Sequence, residues 1–221
     1  MTVKANKVRL MDWGHVHYQE AWQKQEAVHG DVLRGADSTL IFCSHPHVYS
    51  LGSQTQESNL LISKDECESR GIELVSTDRG GDITYHGPGQ IVGYPIFRLA
   101  DFPCGQDLHE FLRAIEEVLI LALEPFGIKG CRVEGKTGAW VGDKKVASIG
   151  FKCSRWITLH GFALNVSTDL EYFNLINPCG LASDDMTSLE KLLGKAPDEQ
   201  AVKEALTSAF TAVFASSLIS D

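Results

Sequence analysis

Gly138-Ala139-Trp140-Val141-Gly142-Asp143-Lys144-Lys145-Val146-Ala147-Ser148-Ile149-Gly150-Phe151, followed after four residues by Trp156-Ile157-Thr158-Leu159-His160-Gly161-Phe162-Ala163-Leu164-Asn165-Val166, is the stretch that decides the fold. Its apolar and β-branched runs read as strands, and Gly142-Asp143 reads as a two-residue hairpin turn. Successive strands with no helix between them do not fit a doubly wound parallel sheet, in which each crossover needs a helix. Working outward, further strand-like runs lie at 39–43, 72–76 and 91–97. Helical spacing appears at Tyr18, Ala21, Trp22 and Gln25, and as a full apolar stripe from Leu108 through Phe111, Leu112, Ile115, Val118 and Leu119 to Ala122, with Gly127 as its stop. It returns at Val202, Leu206, Phe210, Val213 and Phe214, and Ser63-Lys64-Asp65-Glu66 is a capping box for a short helix that Gly71 ends. The expectation is an α/β (α+β) fold, a mixed β-sheet flanked by helices. No repeat and no Pro/Gly/Ser linker divides the chain, so residues 1–221 are read as one domain.

The chain is 221 residues long, 43% hydrophobic and 22% charged, which excludes a disordered, collagenous or coiled-coil protein. A net charge of −9 argues against nucleic acid as a partner, since that affinity rests on neutralising phosphates. The longest apolar run, 118–123, is far short of the ~20 residues a bilayer requires, so no membrane span is expected. Lys4, Lys7 and Arg9 are followed by no apolar segment, so no secretory signal is read and a cytoplasmic location is expected. Six cysteines, at 43, 67, 104, 131, 153 and 179, form no C-x-x-C pair and read as reduced thiols.

Three segments carry candidate chemistry. Arg79-Gly80-Gly81-Asp82-Ile83-Thr84-Tyr85-His86-Gly87-Pro88-Gly89-Gln90 has glycines that let a backbone approach a ligand, and it also carries Arg, Thr, Tyr and His. It is neither a P-loop nor a dinucleotide fingerprint, because no Gly-Lys-Ser/Thr and no helix follows. In the hairpin, Lys145, Ala147 and Ile149 share one face, which draws Lys145 toward an apolar interior where a lysine becomes a base. Asn177-Pro178-Cys179-Gly180 holds a cysteine on a shaped turn, with Thr187-Ser188-Leu189-Glu190 as a capping box downstream. A second Pro-Cys-Gly, at Cys104, leaves the choice between the two cysteines open. His160 is a possible base for a cysteine. His45 and His47 lack the further ligands that a metal site needs, so no metal is expected.

In this order, the segments resemble the lipoyl(octanoyl) transferase family, the octanoyl-[acyl-carrier-protein]–protein N-octanoyltransferases. The matching blocks are His45-Pro46-His47-Val48-Tyr49-Ser50-Leu51-Gly52, the run 79–90 with Gly93-Tyr94-Pro95-Ile96, Gly135-Lys136-Thr137-Gly138, Lys145-Val146-Ala147-Ser148-Ile149-Gly150, His160-Gly161-Phe162-Ala163-Leu164-Asn165-Val166, and Asn177-Pro178-Cys179-Gly180 with Met186-Thr187-Ser188-Leu189. The resemblance implies the fold of lipoate and biotin protein ligases. It implies Cys179 as the acyl-accepting cysteine and Lys145 as its partner. It also implies substrate-binding walls made of Arg79, Gly80, Gly81, Asp82, Ile83, Thr84, Tyr85 and His86, of Ser148, Ile149 and Gly150, and of Gly161, Phe162 and Ala163.

The implied donor is octanoyl-acyl carrier protein, and the implied acceptors are the lipoyl domains of 2-oxoacid dehydrogenases and the glycine cleavage H protein. The protein is expected to act as a monomer without a cofactor, because the thioester is already activated. A fully buried octanoyl tail gains on the order of 5 kcal/mol. One methylene discriminates weakly, so longer chains must be rejected by a closed channel end. Lys144, Lys152 and Arg155 are expected to form a basic patch for the carrier protein. The alternatives are an ATP-dependent lipoate or biotin ligase, and a thioester hydrolase using Cys179 and His160.

Overall fold

The computed structural model describes residues 6–177 and 185–220. Its elements, in chain order, are β1 Asn6–His15, α1 Tyr18–Leu33, β2 Ser38–Ser44, β3 Val48–Leu51, α2 Lys64–Ser69, β4 Glu73–Ser76, β5 Thr84–His86 and β6 Gln90–Ile96. There follow α3 Leu108–Leu123, β7 Cys131–Val133, β8 Lys136–Val141, β9 Lys144–Ser154, β10 Ile157–Asn165, α4 Leu189–Leu193, α5 Glu199–Phe214 and β11 Ser216–Ser220. Among the described residues they form an eight-stranded sheet, ordered β11-β1-β2-β6-β10-β9-β8-β7, and a three-stranded sheet, ordered β4-β3-β5. The large sheet is mixed: β1 runs parallel to β2 and β11, and the β2-β6-β10-β9-β8-β7 neighbours are antiparallel. None of the described helices is long and apolar enough to cross a membrane.

Helices cover both faces of the large sheet, and the strand sequences show why. In β2, Leu40 and Phe42 join the core under α3 and α5, while Ile41 and Cys43 join the core under α1. Each strand residue therefore meets apolar partners whichever way it points, and the strand reads as a continuous apolar run. The middle of β10 splits likewise, with Phe162 and Leu164 on one side and Ala163 on the other. The approach of β6 and β10 depends on a glycine pair. A Cβ on Gly161 would collide with the Gly93 carbonyl oxygen, and a Cβ on Gly93 would collide with the Phe162 ring.

The hairpin is as the sequence predicts: Val141 pairs with Lys144 across Gly142-Asp143, and Gly142 takes φ +61°. Two expectations shift. The cap of α4 is Ser188, which accepts from the Lys191 amide, rather than Thr187. The simple alternation of Lys145, Ala147 and Ile149 does not hold either, because the β8–β9 register slips between Ala139 and Trp140. Val146 joins the core together with Ala147, and Ile149 packs against that core while also opening, with Lys145, onto a cavity.

Candidate active site

A cleft lies between the large sheet and the 79–86 loop. Of the walls expected from sequence, all but Gly80 and Tyr85 line it, and Lys145 lines it with them. The Gly80 amide donates to the Phe151 carbonyl at 2.9 Å, and Gly80 faces a neighbouring depression, also bordered by Lys145. Tyr85 turns away. It is fully buried in the small-sheet core, its hydroxyl lies 2.8 Å from His47 Nδ1, and its ring stacks on Tyr172 at 4.8 Å. The neighbours of Tyr85 on β5 face the cleft, so strand alternation turns its side chain to the opposite side. The cleft also takes Tyr18, Val92, Tyr94 and His160, which the motif reading did not place in the wall. Tyr18 was visible on the buried face of α1, but nothing in its local sequence distinguishes a wall residue from a core residue.

Lys145 stands near the start of β9. Its stem lies over Gly138, where a Cβ would come 2.7 Å from Lys145 Cε, and its ammonium lies 5.7 Å from the Trp140 ring centroid. Gly138 takes φ +127°, which glycine adopts readily and other residues rarely do. Its amide donates at 3.1 Å to Glu116 of α3, whose buried carboxylate also accepts from Arg113 and Arg132. An ion-pair cluster thus anchors the strand opposite Lys145. Behind Lys145, its carbonyl accepts from the Thr187 amide at 2.9 Å. Cys179 lies outside the described residues, but its described flanks are tied down: the Asn177 amide donates to the Asn59 carbonyl at 2.8 Å, and Met186 bridges to Lys145.

The two histidines of the wall are both held by partners. Arg79 donates twice to Ser50 Oγ, at 3.2 and 2.9 Å, so the Ser50 hydroxyl proton is left for His86 Nε2 at 3.1 Å. His86 Nδ1–H then donates to Gln90 Oε1 at 3.3 Å. Burial, with His45 and Arg79 nearby, holds His86 well below the usual imidazole range. His160 takes φ +60° in the middle of β10, and its backbone amide donates to Gln25 of α1 instead of to a neighbouring strand. Its Nε2 lies 2.8 Å from Asp78, which also pairs with Lys152. Burial lowers the His160 pKa despite the opposing pull of Asp78. His160 pairs with Phe151, six residues along β9 from Lys145, so about 20 Å of strand separates their backbones. They sit toward opposite ends of the cleft.

His45 and His47 do not converge: His45 donates from Nδ1 to the Val16 carbonyl at 2.7 Å and accepts from Tyr94 at 2.7 Å, while His47 meets Tyr85 and Tyr172. Burial lowers the His45 pKa from 6.5 to about 4. A neutral His45 in the fold stabilises fully above pH 6.5, and that contribution falls as pH drops toward 4. The shift corresponds to about 3 kcal/mol. His86 and His160, also lowered, act in the same direction. The thermal midpoint is therefore expected to fall between pH 6.5 and 4, and His45→Gln should flatten that slope. Parallel curves for the two proteins would contradict the assignment.

Four of the described thiols differ from what a nucleophile needs. Desolvation pushes the pKa values of Cys43, Cys67, Cys104 and Cys153 up, away from the thiolate form.

Comparison with known proteins places the site in context. A family model, the lipoyl protein ligase A/B catalytic domain, matches residues 17–211. An octanoyltransferase of Flavobacterium psychrophilum is 43% identical over 225 aligned positions, covering 94% of this chain and 96% of its own. Among solved structures, a bi-partite lipoate protein ligase of Thermoplasma acidophilum superposes with a TM-score of 0.82 at 17% identity, covering 98% of this chain and 87% of its own. The biotin protein ligase of Aquifex aeolicus superposes at 0.52 with 13% identity, covering 95% and 69%. These two share the fold.

Proposed function

The chain belongs to the lipoyl protein ligase A/B catalytic-domain family, within its octanoyltransferases, and we propose that it works through an octanoyl thioester on Cys179 with Lys145 as the proton carrier. It transfers octanoyl groups in protein lipoylation, and lipoyl domains are its acceptors. The observation that carries the mechanistic reading is the cleft itself, in which three segments far apart in sequence meet beside Lys145.

The donor is octanoyl-acyl carrier protein. The Cys179 thiolate attacks the thioester carbonyl, the carbon–sulfur bond to the carrier breaks, and the carrier thiol leaves with a proton. One thioester replaces another, so the step is close to isoenergetic. The ε-amine of the acceptor lysine then attacks octanoyl-Cys179, giving an amide and regenerating the thiolate. As an ammonium, Lys145 lowers the Cys179 pKa; as a neutral amine, it takes the proton of the attacking lysine. Arg79, Gly81, Asp82, Ile83, Thr84, His86, Ser148, Ile149, Gly150, Gly161, Phe162 and Ala163 enclose the acyl group. Residues 1–221 act as one catalytic unit, a cytoplasmic monomer.

An ATP-dependent ligase is the less favoured reading, because relatives at 40–43% identity are octanoyltransferases while the ligases share only the fold. A Cys179–His160 hydrolase is disfavoured because His160 lies toward the other end of the cleft from Lys145. Intact mass spectrometry tests the proposal. One octanoyl adduct should form on mixing with octanoyl-acyl carrier protein and vanish when a lipoyl domain is added, without ATP. Transfer that requires ATP would overturn it.

The carrier's docking surface is revised from the sequence expectation. Lys144 and Arg155 stand at opposite ends of the β9 segment, more than about 30 Å apart along the strand, and Lys152 is paired with Asp78. The cations beside Lys145 are Lys136, packed 5.1 Å from the Trp140 centroid, and Lys144. Lys136→Glu with Lys144→Glu is expected to raise KM for the carrier several-fold and to flatten its salt dependence, leaving kcat nearly intact. An unchanged KM would move the docking surface elsewhere.

A further inference from the structure

We propose that Gln90 and Asn165 are positioning residues, links in a one-way chain of hydrogen bonds that runs from the Arg79 guanidinium to the carbonyl of Thr187, the residue whose own amide clamps Lys145. The inference rests on Lys145 as the proton carrier of the proposed reaction. Every link has a defined direction. Arg79 only donates, so Ser50 Oγ accepts from it and has its own proton to give to His86 Nε2 at 3.1 Å. That makes His86 the Nδ1–H tautomer, which donates to Gln90 Oε1 at 3.3 Å. The Gln90 amide nitrogen spends its two protons on the Tyr85 carbonyl at 3.1 Å and on Asn165 Oδ1 at 2.9 Å. Asn165 Nδ2 donates to the Thr187 carbonyl at 3.0 Å, and the Thr187 amide donates to the Lys145 carbonyl at 2.9 Å.

Ser50, His86, Gln90, Asn165 and Thr187 are all buried. A link removed from such a chain leaves buried polar groups without their partners. The chain therefore has one low-energy arrangement, and its far end fixes the backbone of Thr187, eight residues after Cys179 in sequence. The cleft wall at Arg79 and His86 and the strand of Lys145 are thereby locked to each other across three separate segments. Gln90 and Asn165 pair directly on β6 and β10, so their side chains meet at a rung that the sheet itself fixes. Neither residue lines the cleft.

The test uses Asn165→Leu and the near-isosteric Asn165→Asp, which puts an acceptor where the chain needs a donor. Three quantities are read. The first is kcat and KM for transfer to a lipoyl domain. The second is amide exchange of the peptide covering 185–190. The third is the effect of Asn165→Leu in a Lys145→Ala background, followed over long times. The expected result is a 10- to 100-fold loss of kcat with KM within about two-fold, the order that a misplaced catalytic group produces. Exchange at 185–190 should accelerate while other core peptides stay protected. No further loss should appear once Lys145 is alanine.

Unchanged kcat with accelerated exchange would make the chain purely structural and overturn the proposal. A full extra loss in the Lys145→Ala background would show that Asn165 acts elsewhere, which also overturns it. Near-normal transfer by Lys145→Ala alone would instead remove the catalytic reading of Lys145 itself, a separate failure. If Asn165→Leu does not fold, Asn165→Asp gives the same readings.

Discussion

Cys179→Ala is expected to abolish both the octanoyl adduct and net transfer, a loss on the order of 10⁴-fold or more in kcat, as for other removed nucleophiles. Cys104→Ala should keep both. The contrast is informative because the two residues share a local sequence, Pro-Cys-Gly, and only Cys179 lies in a block that resembles the family's motif. Cys104 is partly buried against the main core, and desolvation raises its pKa, with Asp107 and Glu110 nearby reinforcing the rise. A thiol so placed is protonated at neutral pH and is a poor nucleophile. Cys179 belongs to a segment whose flanks are tied to Asn59 on one side and to Lys145 on the other. The measurement is intact mass after mixing with octanoyl-acyl carrier protein, followed by transfer to a lipoyl domain. Wild-type transfer by Cys179→Ala would end the covalent mechanism and return the ATP-dependent reading to consideration.

What could be read in the sequence follows a physical division. Periodicity marked α1, α3 and α5, because a helix that buries one stripe writes that stripe at fixed spacing. It also marked β2, β6 and β10, whose two covered faces leave continuous apolar runs, and the shorter or half-buried β4, β8 and β9. It missed β1, where Lys7 and Arg9 interrupt the apolar residues, and β5, which is three residues long inside the glycine-rich loop. The cleft wall was legible because its members cluster in motifs. Tyr85 was misread because a motif records which residues are adjacent, and strand alternation decides which way each one faces. The hydrogen-bonded chain was not legible at all. Ser50, the 86–90 stretch, Asn165 and Thr187 lie on separate segments, and only the β6–β10 register and the packing of the small sheet bring them together. The same holds for the basic patch: Lys144 and Arg155 look close in sequence, but a strand converts eleven residues into distance.

Lys145→Arg is expected to separate the two half-reactions. Arginine keeps the positive charge, so it still lowers the Cys179 pKa and acylation by the donor should continue at a reduced rate. Arginine does not release its proton near neutral pH, so the incoming amine finds no base. Octanoyl-Cys179 should accumulate, and delivery to the lipoyl domain should fall by roughly 10²–10⁴-fold, the usual weight of general base catalysis. The site has features that favour a folded variant. Gly138 presents no side chain to the stem at position 145, and the Trp140 face, 5.7 Å from the present ammonium, suits a guanidinium equally well. A loss of transfer therefore reports chemistry more than packing. Lys145→Ala should cut both steps to a small residual rate, measurable only over long times, because neither charge nor base remains. Quenched mass spectrometry of each half-reaction reads the two rates separately. If Lys145→Arg delivers octanoyl at a near-normal rate, Lys145 is not the base. The two cleft histidines do not replace it easily: both His86 nitrogens are committed within the chain from Arg79, and His160 lies six residues away along the strand pair.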